Sequence, residues 1–409
     1  MQQQANTDLS LNNVYLPEYT ANPYPLYHRL RETDPVFWDE AAGSWVLTSY
    51  ADVVAMLRDP GFSAIRFVTD TNWVPQDMVE MLGPPMRALT RQMLFLDPPD
   101  HTHLRSLVAR AFTPRVVEAM RTHIQHIVDQ LLDAALPNGR IELIREFAYP
   151  LPAIVIAEML GVPPEDRDQF TVWSSHFGTL LEGISLTMEE AMEAFMGVSA
   201  FMDYFRQIIV ERRTVPKDDL LQAMINAEEG GDVLSEEELL GNCVLLLAAG
   251  HGTTTHLIGN GMVALLQHRD QYELLKHDPS LITLAIMELL RYDGPVQATS
   301  RRVREDLTIR DKQVEAGQSV IVSLGAASHD PAQFAGPDKL NIRRVENRHL
   351  AFGHGIHYCL GAPLARLEAE IAFSTLLRRL PHPRLEGEDV EWFSGMVFRG
   401  LNALPIAFE

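Results

Sequence analysis

Hydrophobic positions recur at helical spacing over most of the chain. From residue 97 to about residue 380 they follow the 3.6-residue period of amphipathic helices, and residues 25–31 predict a short helix near the start. Alternation typical of strands is confined to regions near 36–48, 296–323 and 390–409. Within the last region, residues 396–398 and 404–406 are the strand-like pieces. The pattern predicts a mainly α chain with a small β region.

The longest predicted helix runs from Ser235 to His268. Ser235 and Glu238 form a capping-box pattern at its start, and residues 244–249 are apolar on every side and therefore predicted to be buried. The next residues are Gly250-His251-Gly252-Thr253, and each glycine costs about 1 kcal/mol in a helix interior relative to alanine. Two glycines in a buried helix therefore indicate either a groove where the backbone makes room for a ligand or close packing against another helix.

One of the two cysteines, Cys359, lies between a glycine-rich turn and a predicted helix that begins near Gly361. The helix dipole and the unpaired N–H groups of a first helical turn favour thiolate over thiol. A thiolate facing an open space is the axial ligand that some haem proteins use to promote O–O cleavage. The alternative is a buried structural cysteine, which behaves as a small hydrophobic residue.

Composition narrows the class of protein. The 409 residues contain no Pro-, Gly- or Ser-rich spacer and no repeat, so we expect one domain over 1–409 with its helix-rich core at about 97–380. No apolar run reaches the roughly 18 residues of a membrane span, and the first residues lack the features of a signal peptide. Two cysteines and a net charge of −21 favour a soluble cytoplasmic protein that binds neither nucleic acid nor anionic membranes.

The spacing Phe-Gly-x-Gly-x-His-x-Cys-Leu-Gly over 352–361, continuing into Leu364-Ala365-Arg366, resembles the haem-ligand loop of the cytochrome P450 family. The resemblance extends over nearly the whole chain, from Asp97 to residues 399–401. It implies the family fold, with a long central helix over the haem and short β-sheets. It also implies that Cys359 ligates the iron of haem b within a loop that includes Phe352, Gly353 and Gly361.

Residues 249–253 resemble the oxygen-binding segment of the same family, which assigns Ala249, Gly250 and Thr253 to that site. The chain departs from the family at Gly252, where an acidic residue usually helps to deliver protons. Proton delivery then has to use water, His251, a substrate group or another carboxylate. Otherwise hydrogen peroxide replaces O2 as the oxidant, or the glycine makes room for a bulky substrate.

Further motifs match the family in order and spacing. Glu288 and Arg291, at i and i+3 of a predicted helix, resemble the pair that joins a later arginine, here Arg344, in a network bracing the haem loop. Cationic groups are needed where haem propionates are buried. The matching positions are His101, Arg105, Arg301 and His357. By the same resemblance, the pocket positions are Ala249, Val296, Gln297 and Met396. Leu94 and Leu180 are further pocket candidates, from segments expected to cap the distal side.

For two groups of side chains the sequence allows more than one role. Apolar residues of 66–95 and 173–196 are candidates for a mostly apolar, adaptable cavity; they include Phe67, Trp73, Met78, Trp173 and Phe177. Met188, Met192 and Met196 follow at i+4 spacing, which is more typical of a core than of a pocket. Arginines near the cysteine loop suggest either a docking face for an acidic ferredoxin or scattered surface charge. They are Arg110, Arg115, Arg343, Arg348 and Arg366.

The resemblance implies a haem-dependent monooxygenase that hydroxylates a C–H bond of a mostly apolar small molecule, such as a secondary metabolite, with electrons from a ferredoxin-type donor. Two alternatives remain at this point. Gly252 motivates a peroxide-driven peroxygenase or atypical oxidase. A haem-thiolate sensor without catalysis is the other, although Thr253 argues against it.

Overall fold

The computed structural model describes residues 9–66, 83, 85–163, 166–182, 187–217, 219–229, 234–387, 390–393 and 395–409. The helices within them are α1 (Pro17–Thr20), α2 (Tyr24–Thr33), α3 (Tyr50–Arg58), α4 (Asp100–Val108), α5 (Pro114–Ala119), α6 (Arg121–Ala135), α7 (Pro150–Met159), α8 (Arg167–Glu182), α9 (Met188–Thr214), α10 (Leu220–Glu229), α11 (Glu236–Gln267), α12 (Arg269–His277), α13 (Ile282–Asp293), α14 (Leu324–Ser328) and α15 (Ala362–Arg379). The strands are β1 (Val36–Asp39), β2 (Ser44–Leu47), β3 (Phe62–Ser63), β4 (Arg140–Glu142), β5 (Ala298–Val303), β6 (Leu307–Ile309), β7 (Lys312–Val314), β8 (Ser319–Ser323), β9 (Arg384–Leu385), β10 (Glu391–Phe393), β11 (Gly400–Ala403) and β12 (Pro405–Ala407). The predicted class, mainly α with a small β region, is confirmed.

Local patterns located most elements. The capping box of α11 forms, because the Ser235 hydroxyl accepts from the Glu238 N–H at 3.2 Å and the Glu238 carboxylate accepts from the Ser235 N–H at 2.9 Å. The strand-like region near 36–48 forms the antiparallel pair β1–β2. The prediction of a strand at residues 396–398 is wrong. Phe398 forms an isolated bridge to Val296, and the paired strands β10 and β11 lie before and after this segment in the chain.

The chain divides into two compact units. The first contains residues 1–62, 117–151 and 253–409. Its main sheet has the order β1-β2-β8-β5-β3, in which β2 and β8 pair in parallel and β5 and β8 antiparallel. Helices α3 and α14 contribute to the apolar cluster that this sheet buries, and α6 packs along α15. The cluster includes Val36, Leu47, Val53, Met56, Leu57, Val320, Val322, Leu324 and Ala327.

The second unit contains residues 63–116 and 152–252. Its largest helix pair is α8 and α9, which pack through stacked aromatic rings. The ring centroids of Trp173 and Phe201 are 5.3 Å apart, and the rings of Phe170 and Tyr204 belong to the same cluster. Across the described residues, no helix is both long enough and apolar enough to cross a membrane.

Candidate active site

Cys359 lies on a tight loop three residues before α15. Its N–H donates to the Phe352 carbonyl at 2.8 Å, and the Tyr358 N–H donates to the Gly355 carbonyl at 3.1 Å. The residue is exposed, and α15 begins at Ala362 with a proline in its first turn, as expected. The residue therefore precedes the positive end of an 18-residue helix, an environment that favours the thiolate.

Cys243 is the opposite case. It lies in the apolar part of α11 with none of its surface exposed, and burial raises the pKa of its thiol far above the ordinary value. A thiol held in its protonated form is a poor metal ligand. The donor chemistry of a haem-thiolate site thus fits Cys359 and does not fit Cys243.

Two glycines in the left-handed region shape the cysteine loop. Gly353 has φ +70° and Gly355 has φ +73°, a conformation that side chains other than glycine rarely adopt. A Cβ at Gly355 would lie 2.4 Å from the carbonyl oxygen of Leu57 at the end of α3, whereas the nearest atom at Gly353 would be 3.8 Å away. Gly355 therefore permits a close backbone approach as well as the turn.

This difference predicts unequal effects of two matched substitutions. Gly353→Ala should cost about 1–2 kcal/mol from left-handed strain alone. Gly355→Ala should cost more, because a backbone carbonyl cannot move aside as a flexible side chain can. The midpoints of urea unfolding of the two haem-loaded variants measure the difference. Equal midpoints would mean that the contact with Leu57 adds nothing to the stability of the loop.

The structure brings Glu288, Arg291 and Arg344 together. The Glu288 carboxylate accepts from Arg291 Nε at 2.8 Å and from Arg344 Nε at 3.0 Å. The side chains of Glu288 and Arg291 are 0% exposed. Glu288 also accepts from the Asn341 N–H and from Asn347 Nδ2, each at 3.0 Å. No local pattern marks Asn347, so the sequence analysis missed it.

Arg291 extends this network to the backbone. Its guanidinium donates to the carbonyls of Ser328, Pro337 and Lys339 at 2.7–3.2 Å. Helix α13 is thereby fixed to the segment that leads toward the cysteine loop. Because every partner of the buried charge is a hydrogen-bonding group, the network is compatible with burial.

The other predicted residues of the first unit differ in their surroundings. Arg301, in β5, is 6% exposed and donates to the Ser300 carbonyl at 2.8 Å. His357 is half-buried in the short helical turn Gly355–His357. Gln297 is buried, and its Nε2 donates to the Gly294 carbonyl at 2.7 Å. This bond gives Gln297 a structural partner in addition to its predicted pocket position. Met396 is also buried.

Within the second unit, His101 and Arg105 lie on α4 one turn apart. His101 is 2% exposed, and its backbone N–H donates to the backbone carbonyl of Asp97 at 2.9 Å. Asp97 also accepts from the Ala64 N–H at 2.8 Å and from the Ser63 hydroxyl, which ties the start of α4 to the preceding segment. The predicted propionate residues of this helix therefore begin on an anchored turn.

The two glycines of α11 have different surroundings. A Cβ at Gly250 would lie 2.8 Å from the Ile156 side chain of α7, so this glycine allows close helix packing. At Gly252 no atom of the described residues would lie within 4 Å of such a Cβ. The packing explanation therefore applies to Gly250, and the explanation that invokes room for a ligand is compatible with Gly252. Ala249, one residue before Gly250, is exposed.

His251 lies between these glycines and is buried. Its Nδ1 donates to the Leu247 carbonyl at 2.9 Å, and burial lowers the pKa of the imidazole despite that bond. The ring is consequently neutral near pH 7 and carries its proton on Nδ1. The neighbouring Thr253 is half-buried.

The candidate cavity residues are only partly described. Phe67, Trp73 and Met78 lie outside the described residues, while Leu94 and Leu180 are half-buried. Trp173 belongs to the aromatic interface of α8 and α9 described above. The methionine stripe does not form a core, because the side chains of Met188 and Met196 are each 62% exposed.

Comparison with known proteins decides the family. The family model for cytochrome P450 matches residues 83–394. The chain belongs to the cytochrome P450 family. Members bind haem b through a cysteine thiolate, and the chain is accordingly a cytochrome P450 monooxygenase, an oxidoreductase.

Individual relatives of this cytochrome P450 cover nearly all of it. The polyketide biosynthesis cytochrome P450 PksS of Bacillus subtilis (strain 168) is 40% identical over 404 residues, 96% of this chain and 97% of PksS. The cytochrome P450 monooxygenase PikC of Streptomyces venezuelae is 42% identical, over 96% of this chain and 92% of PikC. The crystal structure of P450BioI with a hexadec-9Z-enoic acid-ligated acyl carrier protein matches with a TM-score of 0.89 at 37% identity, covering 96% of this chain and 100% of that chain.

Proposed function

We propose that this cytochrome P450 inserts one oxygen atom from O2 into a C–H bond of a mostly apolar small molecule of secondary metabolism. The observation that carries the proposal is Cys359, exposed on its two-glycine loop at the start of α15. The relative PksS, named for polyketide biosynthesis, supports the substrate class. A cytoplasmic location is part of the proposal and rests on the composition.

The chain's own residues have distinct tasks in this proposal. Haem, when bound, supplies the oxygen chemistry, and the protein supplies binding, orientation and electrostatics. Cys359 binds the iron, and Phe352, Gly353 and Gly361 form its loop. Cationic and imidazole donors hold the propionates; they are His101, Arg105, Arg301 and His357.

The oxygen side of the proposed site is formed by α11. Thr253 carries a hydroxyl that donates and accepts hydrogen bonds, so it can orient a water molecule or pass a proton on. His251 is neutral and presents an Nε2 lone pair, because its Nδ1 proton is used by Leu247. Gly252 leaves space in which a substrate group or water can complete the relay.

Electrons come, in this proposal, from a ferredoxin-type protein. Arginines at positions 110, 115, 343, 348 and 366 are the candidate docking residues, and an acidic partner complements them. Arg366 is held in place because its Nε donates to the Ala362 carbonyl at 3.1 Å in the first turn of α15. On a chain of net charge −21, such a local basic group would also orient the encounter.

An absorption titration of the ferric holoenzyme tests the substrate class. Terpenoids, macrolides, aromatics and fatty acids would be added separately, followed by turnover with O2 and a ferredoxin system. We expect an apolar class to shift the Soret band to shorter wavelength and to yield a hydroxylated product. If no free compound shifts the band or is hydroxylated, and only a carrier-protein thioester is, the substrate would be a carrier-bound molecule and not a free one. Lack of any oxygenated product from either would contradict the proposal.

A peroxide-driven peroxygenase is the second candidate, favoured by Gly252. This position has no acidic side chain, and the adjacent His251 is neutral rather than cationic near pH 7. Both features weaken proton delivery to oxygen, whereas peroxide brings its own protons. Product formation that is much faster with hydrogen peroxide than with O2 and a ferredoxin system would favour this candidate.

Gly252→Glu should raise the fraction of electrons that end in product when O2 is the oxidant. A carboxyl at this place supplies a general acid, which typically increases a proton-limited rate by about 10²- to 10⁴-fold. The added side chain has space, because no described atom lies within 4 Å of its Cβ position. The measurement is product formed per NAD(P)H consumed. Gly252→Gln is the matched control, of equal size but without an acid. An equal change in both variants would show that side-chain volume, and not the proton, causes the effect.

A further inference from the structure

Helix α3 contacts the segment that leads into the cysteine loop at both ends of that segment. At the start of the helix, the Tyr50 hydroxyl donates to the Arg348 carbonyl at 2.8 Å. At its end, Arg58 Nε donates to His354 Nε2 at 2.6 Å, and Gly355 approaches the Leu57 carbonyl. These contacts join residues about 300 positions apart, so no local motif of the sequence indicates them.

The helix is itself well anchored. Ser49 caps its start by accepting from the Asp52 N–H, and the Tyr50 N–H donates to Asp330 at 2.8 Å. Val53 and Met56 are buried in the core of the main sheet. Helix α3 therefore provides a fixed reference for whatever its last turn contacts.

The cysteine loop needs such a reference. It contains two left-handed glycines and a single short helical turn, Gly355–His357, so few backbone bonds of its own define it. A metal-binding side chain has to be held to within roughly 0.5 Å, and residues outside the metal's immediate ligands provide that support.

We infer that Arg58 and His354 are a positioning pair, which together with the Leu57–Gly355 contact fixes the loop in the conformation that presents the Cys359 sulfur. The inference rests on the proposed role of Cys359 as the haem ligand. Neither residue touches the iron or the substrate in this inference. Both act through the backbone of residues 354–355.

The pair depends on pH. Nε2 of His354 accepts from Arg58, so the imidazole has to be neutral with its proton on Nδ1. Burial, and secondly the charge of Arg58, lower the pKa of His354 below its ordinary value of about 6.5. Of the charged side chains in the described part of the chain, Arg58 is the one that contributes to the lowered pKa of His354. The support is thus complete above about pH 6.5 and is lost as the pH falls through the lowered pKa of His354.

The test uses the haem-loaded, reduced protein bound to carbon monoxide. A thiolate ligand gives a red-shifted Soret band, which moves to shorter wavelength when the thiolate is lost. We expect Arg58→Ala and His354→Ala to lose the red-shifted band about 2- to 10-fold faster than the parent protein at neutral pH, the effect of one hydrogen bond. Arg58→Lys should recover part of the difference. Arg310→Ala is the matched control, since it removes the exposed pair with Asp52 at the other end of α3.

A pH series separates positioning from general destabilisation. His354→Gln can still accept from Arg58 but cannot be protonated, so it should keep the neutral-pH rate and lose the acid-dependent increase. Arg58→Ala should have the faster rate already at neutral pH and should also lose the acid-dependent increase, because it has no hydrogen bond left for protonation of His354 to break. Parent-like rates in Arg58→Ala, or an unchanged acid increase in His354→Gln, would overturn the inference. If the parent protein itself has no red-shifted band, the role of Cys359 fails first, and the inference with it.

Discussion

Cys359→Ser should abolish the red-shifted Soret band of the reduced carbon monoxide complex and reduce O2-dependent hydroxylation to background. A serine hydroxyl is almost fully protonated near neutral pH, whereas a thiol at a helix N-terminus ionises readily. The electron density that a thiolate donates to the iron, which promotes O–O cleavage, would therefore be lost. Absorption spectra and product yield of the purified variant, with haem content measured in parallel, provide the test.

The second cysteine is the internal control for this substitution. Cys243 is completely buried in α11 and its thiol is protonated, so Cys243→Ser should leave the red-shifted band in place. It should instead lower stability by about 1–3 kcal/mol, because a hydroxyl is buried in apolar surroundings. A red-shifted band that survives in Cys359→Ser and disappears in Cys243→Ser would reverse the assignment of the ligand.

Features that depend on residues close together in the chain could be predicted from the sequence. The loop from Phe352 to Gly361 places its turn, its sulfur and the helix that follows within ten residues, so spacing alone defines the arrangement. The capping box of α11 is equally local, and both of its hydrogen bonds form. Glu288 and Arg291 lie one turn apart on α13, and only their partner Arg344 required the family resemblance.

Features that depend on tertiary contacts could not be predicted from the sequence. Helical spacing made Met188 and Met196 candidates for a core, but both are exposed. Spacing shows which residues share one face of a helix and does not show whether another element covers that face. Residues 396–398 have strand composition, yet their contacts do not form a ladder: Phe398 makes an isolated bridge to Val296, and the Met396 N–H donates to the Tyr15 hydroxyl. Helical spacing does not show that Gly250 is closely packed and Gly252 is not, because that difference depends on the position of Ile156.

Glu288→Gln should destabilise the protein by about 3–5 kcal/mol and reduce the fraction that retains haem. The substitution preserves volume but leaves the guanidiniums of Arg291 and Arg344 beside a neutral amide, and Arg291 is completely buried. Removing one partner of a buried pair leaves an uncompensated charge, which explains the size of the effect. A loss of this size is a large share of the 5–15 kcal/mol that stabilises a typical domain. Haem content after purification and the midpoint of urea unfolding measure it.

Glu118→Gln provides a matched comparison, because Glu118 also pairs with an arginine three residues away on the chain. That pair, with Arg121 at 2.5 Å, is exposed, so water and ions compensate both charges when it is broken. We expect its unfolding midpoint and haem content to equal those of the parent protein. If Glu288→Gln behaved like Glu118→Gln, burial would not be the source of the effect. The network on α13 would then have no part in holding the cysteine loop, and the support would have to come from α3 and from the backbone bonds of the loop itself.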